Sequence, residues 1–193
     1  QGSQYVGMGA ELAMDSEIAI DVWDEIADLE LGQTPLHDVV FPHPGFTPED
    51  DKRQDDLLRA TEWAQPAIGA VSLSQLAILD AIGIRPDRVG GHSYGEITAL
   101  HAAGVLTRAD TLRVARRRGE LMAAAGSNTA GAMIAVPRPI DEVRAQVDRV
   151  PGCAIANHNA PQQVVVSGPA AAIDALERNL LAAGIEPKRL MVA

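Results

Sequence analysis

Cysteine is nearly absent from the sequence, with Cys153 alone among 193 residues. One cysteine cannot form an internal disulfide, so the composition is typical of a reducing compartment and we expect a cytoplasmic protein. The residues around Cys153 predict a buried strand, which favours a packed thiol over a reactive one. Long apolar runs are missing too. No stretch approaches the ~20 apolar residues that span a bilayer, and we find no secretory signal pattern.

Basic residues are also scarce. Lys and Arg number 16 against 26 Asp and Glu, which gives a net charge of −10. A nucleic-acid surface needs clustered Lys and Arg, so this balance argues against a nucleic-acid partner. It does not exclude an anionic substrate, because one local arginine can bind one carboxylate.

The first part of the chain, residues 1–128, carries mostly helical periodicity. Residues 32–51 are rich in Pro, Gly and acidic side chains and predict a surface loop. Pro66 falls near the start of a helix predicted for residues 67–82, where proline is tolerated. A short buried strand is predicted at residues 88–92, followed by a sharp turn and another helix.

The second part, residues 129–193, alternates short strands with helices in the order βαββαβ, which is the ferredoxin-like arrangement. The sequence therefore predicts an α/β fold with two subdomains. The strands are predicted at residues 132–136, 153–157, 164–167 and 189–192, and the helices at 140–150 and 169–183.

The residues from Gly91 to Gly95, Gly-His-Ser-Tyr-Gly, match the nucleophile elbow G-x-S-x-G. In this motif Ser93 lies on a strained strand-to-helix turn that exposes its hydroxyl, and bulky neighbours would clash with the backbone. The turn aims the amide of Tyr94 at the reacting carbonyl, and the following helix adds a favourable dipole. The alternative is a glycine-rich turn with a serine that has only a structural role.

Arg118 lies in the middle of an apolar helical face. Its neighbours at −4, −3, +3 and +4 are Val114, Ala115, Leu121 and Met122. An arginine there must find an anion or extend to solvent, and its planar fork matches a carboxylate. A structural salt bridge is the alternative. Arg116 and Arg117, which have Glu120 nearby, are predicted to be solvated.

A serine nucleophile needs a base, and the base is usually a histidine. None of the five histidines is well placed by sequence for this role. His101 is predicted to be structural, whereas His158, between two asparagines at a strand end, could line a pocket. The others are His37, His43 and His92.

Six elements in order resemble the acyltransferase domains of polyketide and fatty acid synthases and the malonyl-CoA:acyl carrier protein transacylases. The resemblance covers the whole chain. The elements are Gln1–Gln4, Ala64–Ala67, Gly91–Glu96, Arg118–Gly119 with Met122, Gly131–Met133, and the pair Asn157–Pro161 and Val164–Gly168.

The resemblance implies that Ser93 is the acylated nucleophile and that Arg118 pairs with the free carboxylate of malonyl. It also implies an oxyanion hole made by the backbone amides of Gln1 and Tyr94. The residues expected to line the pocket are Gln65, His92, Asn157 and Gln163. The fold it implies is an α/β hydrolase-like large subdomain, incomplete in this chain, with a ferredoxin-like small subdomain.

Tyr94 and the loop Phe41–Pro44 resemble iterative synthases of the enediyne and polyunsaturated-fatty-acid type. The family's catalytic histidine follows the last strand of the small subdomain. The resemblance therefore places the base, with the C-terminal part of the large subdomain, after residue 193.

The sequence thus predicts an acyltransferase that works through an acyl-enzyme, with malonyl-CoA as donor and the phosphopantetheine thiol of an acyl carrier protein as acceptor. Other domains of a multidomain synthase are expected partners, and neither a metal nor a redox cofactor is expected. Two alternatives stay open at this point. One is a serine esterase or thioesterase-type hydrolase. The other is an inactive remnant that docks carrier proteins.

Overall fold

The computed structural model describes residues 2–128 and 131–190, with the backbone alone at 126–128. The chain divides into two compact units, residues 1–123 and residues 124–193, whereas the sequence analysis divides it after residue 128. Within the described ranges, no helix is both long and apolar enough to cross a membrane. The helices that begin in the first unit are α1 (Ala10–Asp15), α2 (Glu17–Ala27), α3 (Leu36–Val40), α4 (Pro48–Arg59), α5 (Thr61–Ala81), α6 (Gly95–Ala102) and α7 (Arg108–Asn128).

Local sequence signals determine where several of these helices start and end. The Thr107 hydroxyl accepts a hydrogen bond from the Asp110 amide at 3.1 Å and donates one to its carboxylate at 2.7 Å. This pair caps the start of α7. Gly83, at φ 82°, follows the last turn of α5 in the left-handed conformation that favours glycine at a helix end.

The surface loop predicted at residues 32–51 is partly wrong, because this segment contains α3 and the start of α4. Leu36, Val39 and Val40 are buried in the core of the first unit. Their spacing of i, i+3 and i+4 puts them on one helical face. The surrounding prolines, glycines and acidic residues hide so short an apolar pattern.

Pro66 lies inside α5 rather than near the start of a helix, because α5 already begins at Thr61. Proline lacks the N–H that would bond the carbonyl four residues earlier, which belongs to Glu62. Nη1 of Arg116 donates to that carbonyl at 3.2 Å. The guanidinium also stacks on Trp63, 4.0 Å from the ring centroid. An arginine from α7 thus satisfies the acceptor that the proline leaves unpaired.

The buried strand predicted at residues 88–92 is wrong. The segment is irregular, and Val89, which the pattern places in a central strand, is 40% exposed. A strand exists through hydrogen bonds to a neighbouring strand. No strand occurs among the described residues of the first unit, so this segment has no partner there.

The second unit confirms the predicted βαββαβ order. Its sheet has the strand order β2-β3-β1-β4, and every pair is antiparallel. Residues 191–192, predicted to end the last strand, lie outside the described residues. The elements are β1 (Gly131–Val136), α8 (Ile140–Val147), β2 (Ala154–Ala160), β3 (Gln163–Pro169), α9 (Ala170–Ala182) and β4 (Lys188–Arg189).

The core of the second unit lies between one face of this sheet and the two helices. Alternate residues of β1 and β3 point into it, with Ile134 opposite Val166 and Val136 opposite Val164. α9 contributes Ile173, Leu176 and Leu180, all fully buried. Cys153 is half-buried at the edge of this core, and burial raises the pKa of its thiol. The thiol is packed as predicted, but the buried strand predicted around it is wrong, because Cys153 precedes β2 and that strand is mostly exposed.

We expect Leu176→Ala to destabilise the second unit by about 2–5 kcal/mol, because it opens a cavity under the sheet. Leu181→Ala, on the same helix but 53% exposed, should have little effect. Both tryptophans, Trp23 and Trp63, lie in the first unit. Tryptophan fluorescence would therefore report on the first unit and not on the second. Amide hydrogen exchange of peptides from β1 and β3 is the measurement. Equal exchange in the two variants would contradict the described core.

Candidate active site

Ser93 occupies a strained turn. Among the described residues it is the only non-glycine residue with a positive φ, at 55°. A left-handed backbone at such a residue costs on the order of 1–3 kcal/mol, and such strain is often found at functional sites. Two backbone hydrogen bonds connect the turn to α6. The Gly95 amide donates to the His92 carbonyl at 3.0 Å, and the Glu96 amide donates to the Ser93 carbonyl at 3.2 Å.

The two glycines of the turn differ in their surroundings. A Cβ added to Gly91 would lie 2.0 Å from the Gly95 carbonyl carbon and 2.4 Å from the Glu96 nitrogen. No side chain fits there, so glycine is required. A Cβ at Gly95 would meet nothing within 4 Å in the described part of the chain. The expected clash is thus confirmed at Gly91 and wrong at Gly95.

Arg118 joins the nucleophile turn to α5. Its Nη2 donates to Ser93 Oγ at 3.2 Å, and its Nη1 donates to Gln65 Oε1 at 2.6 Å. Gln65 is fully buried, and its Nε2 donates to the Thr61 hydroxyl at 2.8 Å and to the Met122 sulfur at 3.5 Å. A buried amide held at both ends fixes the guanidinium beside the serine.

A close approach of α7 to the first turns of α5 makes this arrangement possible. A Cβ on Gly119 would lie 2.4 Å from Cα of Glu62 and 2.6 Å from the Thr61 carbonyl oxygen. These are backbone atoms that cannot move aside, so only glycine allows the approach. The consecutive residues Arg118 and Gly119, with Met122 one turn later, therefore act as one contact surface against α5.

The neighbours of Arg118 are less buried than their apolar character suggests. Ala115 is fully buried, but Val114, Leu121 and Met122 are 39%, 54% and 41% exposed, and Arg118 itself is half-buried. The prediction that Arg116 is solvated is wrong. Its side chain is only 16% exposed because it covers Trp63 and bonds the Glu62 carbonyl. Arg117 is solvated as predicted, with its side chain 68% exposed.

The side chain of Tyr94 points into the protein. It is 4% exposed, and burial raises the pKa of its phenol to about 12, with the Thr98 hydroxyl and the Arg118 charge opposing part of the shift. The Thr98 hydroxyl is not in hydrogen-bonding geometry, since within the described residues neither hydroxyl has a hydrogen-bond partner. Tyr94 packs against Gly69 of α5 and near Leu112 of α7. The sequence analysis missed Gly69, because a glycine in a helix signals nothing without its neighbour.

The remaining predicted residues are spread over the nucleophile turn, the second unit and the first residue of the chain. His92 is exposed on the nucleophile turn. Asn157 lies on β2 and Gln163 begins β3, so both belong to the second unit. Gln1, predicted to supply an oxyanion-hole amide, lies outside the described residues.

The structural role predicted for His101 is confirmed, since its Nδ1 lies 2.8 Å from the Leu106 carbonyl oxygen. His158 is exposed on β2, opposite Val164. The hydrogen bond that Ser93 Oγ accepts is donated by Arg118. In the described ranges, no group of three or more His, Cys, Asp or Glu could hold a metal ion.

This arrangement places a serine hydroxyl and a positive charge side by side. Gln65 is neutral, so it orients the Arg118 guanidinium without cancelling its charge. The amides of Gly95 and Glu96 are bonded within the turn, and the Tyr94 amide precedes them at the start of α6. The site can therefore combine a nucleophile with an anchor for an anion.

Regions of several polyketide synthases are similar to this chain in sequence. The phenolphthiocerol synthesis polyketide synthase type I Pks15/1 of Mycobacterium marinum is 38% identical over 196 residues, which cover 100% of this chain and 9% of that protein. The mycoketide-CoA synthase of Mycobacterium tuberculosis is 36% identical over 200 residues, again 100% of this chain and 4% of that protein. The chain thus spans a small part of these relatives.

Solved structures share the fold. The acyltransferase domain from the second module of the salinomycin polyketide synthase has a TM-score of 0.83 and 34% identity, over 100% of this chain and 43% of that chain. The malonyl CoA-acyl carrier protein transacylase from Clostridium perfringens has a TM-score of 0.86 and 30% identity, over 100% of this chain and 58% of that chain. These matches confirm the predicted α/β fold class.

The family model described as "Acyl transferase domain" matches residues 1–193. The resemblance drawn from the six sequence elements is therefore confirmed. The chain belongs to the acyl transferase domain family.

Proposed function

We propose that this chain is part of an acyltransferase that moves a malonyl group from malonyl-CoA to the phosphopantetheine thiol of an acyl carrier protein. The observation that carries this proposal is the position of the Arg118 guanidinium, 3.2 Å from Ser93 Oγ. One methylene separates the free carboxylate of malonyl from its thioester carbonyl. A carboxylate held by Arg118 therefore brings that carbonyl to the serine hydroxyl.

In the first step Ser93 Oγ bonds to the thioester carbonyl carbon and loses its proton to a base. The carbon–sulfur bond then breaks, and CoA leaves as a thiol after taking a proton. The family resemblance supplies the base as a histidine after residue 193. The negative charge that develops on the carbonyl oxygen is stabilised by the Tyr94 amide and the start of α6. The family resemblance adds the Gln1 amide as a second donor.

In the second step the phosphopantetheine thiol of the carrier protein attacks the malonyl ester on Ser93. The ester bond breaks, the serine recovers its proton, and the malonyl group leaves as a new thioester. Every bond in this route is made and broken with an electron pair, so no redox cofactor takes part, and on the strength of the family resemblance we place no metal in it. We place His92, Asn157 and Gln163 in the pocket around the acyl group on the strength of the family resemblance.

The relatives reported above are large polyketide synthases, of which this chain matches one short region. We propose that it works beside the other domains of such a synthase, in polyketide or fatty acid biosynthesis. The single packed cysteine fits a reducing compartment such as the cytoplasm. Tyr94 and the loop Phe41–Pro44 are the basis for the finer proposal of an enediyne or polyunsaturated-fatty-acid type synthase, whose product would belong to antibiotic or lipid biosynthesis.

Ser93→Ala should abolish the malonyl adduct, because the oxygen that forms the ester is gone. Loss of the serine in a serine–histidine unit lowers kcat by about 10⁶. The measurement is intact-protein mass spectrometry after mixing the full-length protein with malonyl-CoA, with Ser72→Ala on α5 as the control that still loads. A malonyl adduct on the Ser93→Ala domain would refute the assignment. Free malonate with no transfer to a carrier would instead indicate a hydrolase.

Arg118→Ala should slow malonyl loading far more than acetyl loading, because acetyl has no carboxylate to bind. Loss of a desolvated charge pair costs roughly 2–5 kcal/mol. Arg117→Ala is the matched control, since it removes the same charge from the neighbouring residue, whose side chain is solvated. Rates of loading from the two CoA thioesters give the comparison. Equal slowing of both acyl groups by Arg118→Ala would show that this arginine is structural.

We expect malonyl-CoA to be preferred over methylmalonyl-CoA. Support comes from structural neighbours that are named as malonyl transferases, among them the Clostridium perfringens transacylase and an acyl carrier protein S-malonyltransferase from Vibrio cholerae. Competition between the two thioesters, read as the mass added to Ser93, measures the preference. A larger methylmalonyl adduct at equal concentrations would overturn it.

A further inference from the structure

The phenol of Tyr94 is buried, and the described residues form no hydrogen bond with its hydroxyl. A buried polar atom without a partner is unfavourable, so the hydroxyl is not retained for a bond. What the ring does instead is fill the space between α5 and α7.

Gly69 creates that space. A Cβ at position 69 would lie 2.2 Å from Tyr94 Oη, 3.4 Å from Cζ of the same ring, and 2.9 Å from Cδ2 of Leu112. Glycine inside a helix is less stable than alanine. Its presence in the middle of the 21-residue α5 therefore needs a reason, and the Tyr94 hydroxyl supplies one.

The same helix holds the other half of the site. Gln65 and Gly69 are four residues apart on α5, so they lie on one face. Gln65 bonds the Arg118 guanidinium, and Gly69 receives the ring of Tyr94. Tyr94 directly follows Ser93 in the chain. One face of α5 thus positions both the anion anchor and the nucleophile turn.

We propose that Gly69 and Tyr94 are a matched pair of positioning residues that sets the distance between Ser93 Oγ and the Arg118 guanidinium. Through this distance the pair controls the preference for acyl groups that carry a carboxylate. The inference rests on the proposed function, because it assumes that Arg118 and Ser93 engage the two ends of a malonyl group. The contact between Gly69 and Tyr94 on which it depends cannot be inferred from either residue type alone.

We expect Gly69→Ala to displace the nucleophile, the hydroxyl of Ser93. The ring must retreat by about 1 Å to reach ordinary contact with the new Cβ, and it pulls the Ser93 turn with it. A misplacement of this size costs on the order of a hundredfold in rate. We expect that loss in malonyl loading and a smaller loss in acetyl loading, because acetyl does not have to reach Arg118. The ratio of the two rates therefore falls.

Tyr94→Phe provides the rescue. Measured alone, it gives the reference rate for the double variant, because it keeps the ring and the backbone amide of Tyr94 and removes only the hydroxyl. Combined with Gly69→Ala it removes the atom that lies 2.2 Å from the new Cβ. The double variant should recover both the malonyl loading rate and the malonyl-to-acetyl ratio. Gly69→Ala with Leu112→Val is the matched control, since it relieves the other close contact and should recover neither.

The experiment compares these variants in the full-length protein by rapid-quench loading from malonyl-CoA and acetyl-CoA, with thermal melting of each. A double variant no faster than Gly69→Ala, or an unchanged acyl ratio in Gly69→Ala, would overturn the inference while leaving the proposed function intact. If the wild-type protein forms no malonyl adduct, the proposed function fails. The pair is then tested by melting alone. Gly69→Ala should lower Tm and Tyr94→Phe should restore it, and a Tm that Tyr94→Phe does not restore overturns the pair.

Discussion

The contact between α7 and the first turns of α5 is the feature on which the rest of the site depends. Gly119 lets the two backbones meet at a distance that excludes any side chain. This approach brings Arg118 to Gln65 and Met122 to the Gln65 amide. It also brings Arg116 over the carbonyl that Pro66 leaves unpaired. Three side chains of one helix thus bond polar groups at the start of another.

The electrostatic consequence of this contact is a positive charge that is held but not neutralised. Most arginines with a defined partner here pair with a carboxylate, as Arg117 does with Glu120. Arg118 pairs with an amide and a hydroxyl instead. In a chain with a net charge of −10, a half-buried cation with neutral neighbours is a local exception. A small anion is the ligand that such an exception suits.

The sequence was informative where the chemistry is local. The succession of short strands and helices predicted the βαββαβ order of the second unit, and the glycine pattern around Ser93 predicted the turn. The strand predicted at residues 88–92 failed because an extended, apolar segment becomes a strand only when a neighbour pairs with it. The burial of Arg116 was missed because it depends on Pro66, which lies 50 positions earlier in the chain. Helix α3 was missed because five residues carry too little periodicity.

The site was predictable in its parts and not in its connections. Ser93 and Arg118 could be named from motif and pattern, but the link between them runs through Gln65 and across two helices. Gly69 could not be interpreted at all from sequence. A glycine becomes meaningful only when the atom that would collide with its missing side chain is known, and that atom belongs to a residue 25 positions away.

The strand order of the second unit has a topological consequence. β1 and β4 are adjacent and antiparallel, with Ile134 opposite Arg189. The polypeptide therefore enters this unit along one strand and leaves it along the neighbouring strand, at the same end of the sheet. A unit that the chain enters and leaves at the same end of its sheet could be inserted into a parent chain, exchanged or removed. The path of the chain on either side of the unit would not have to change.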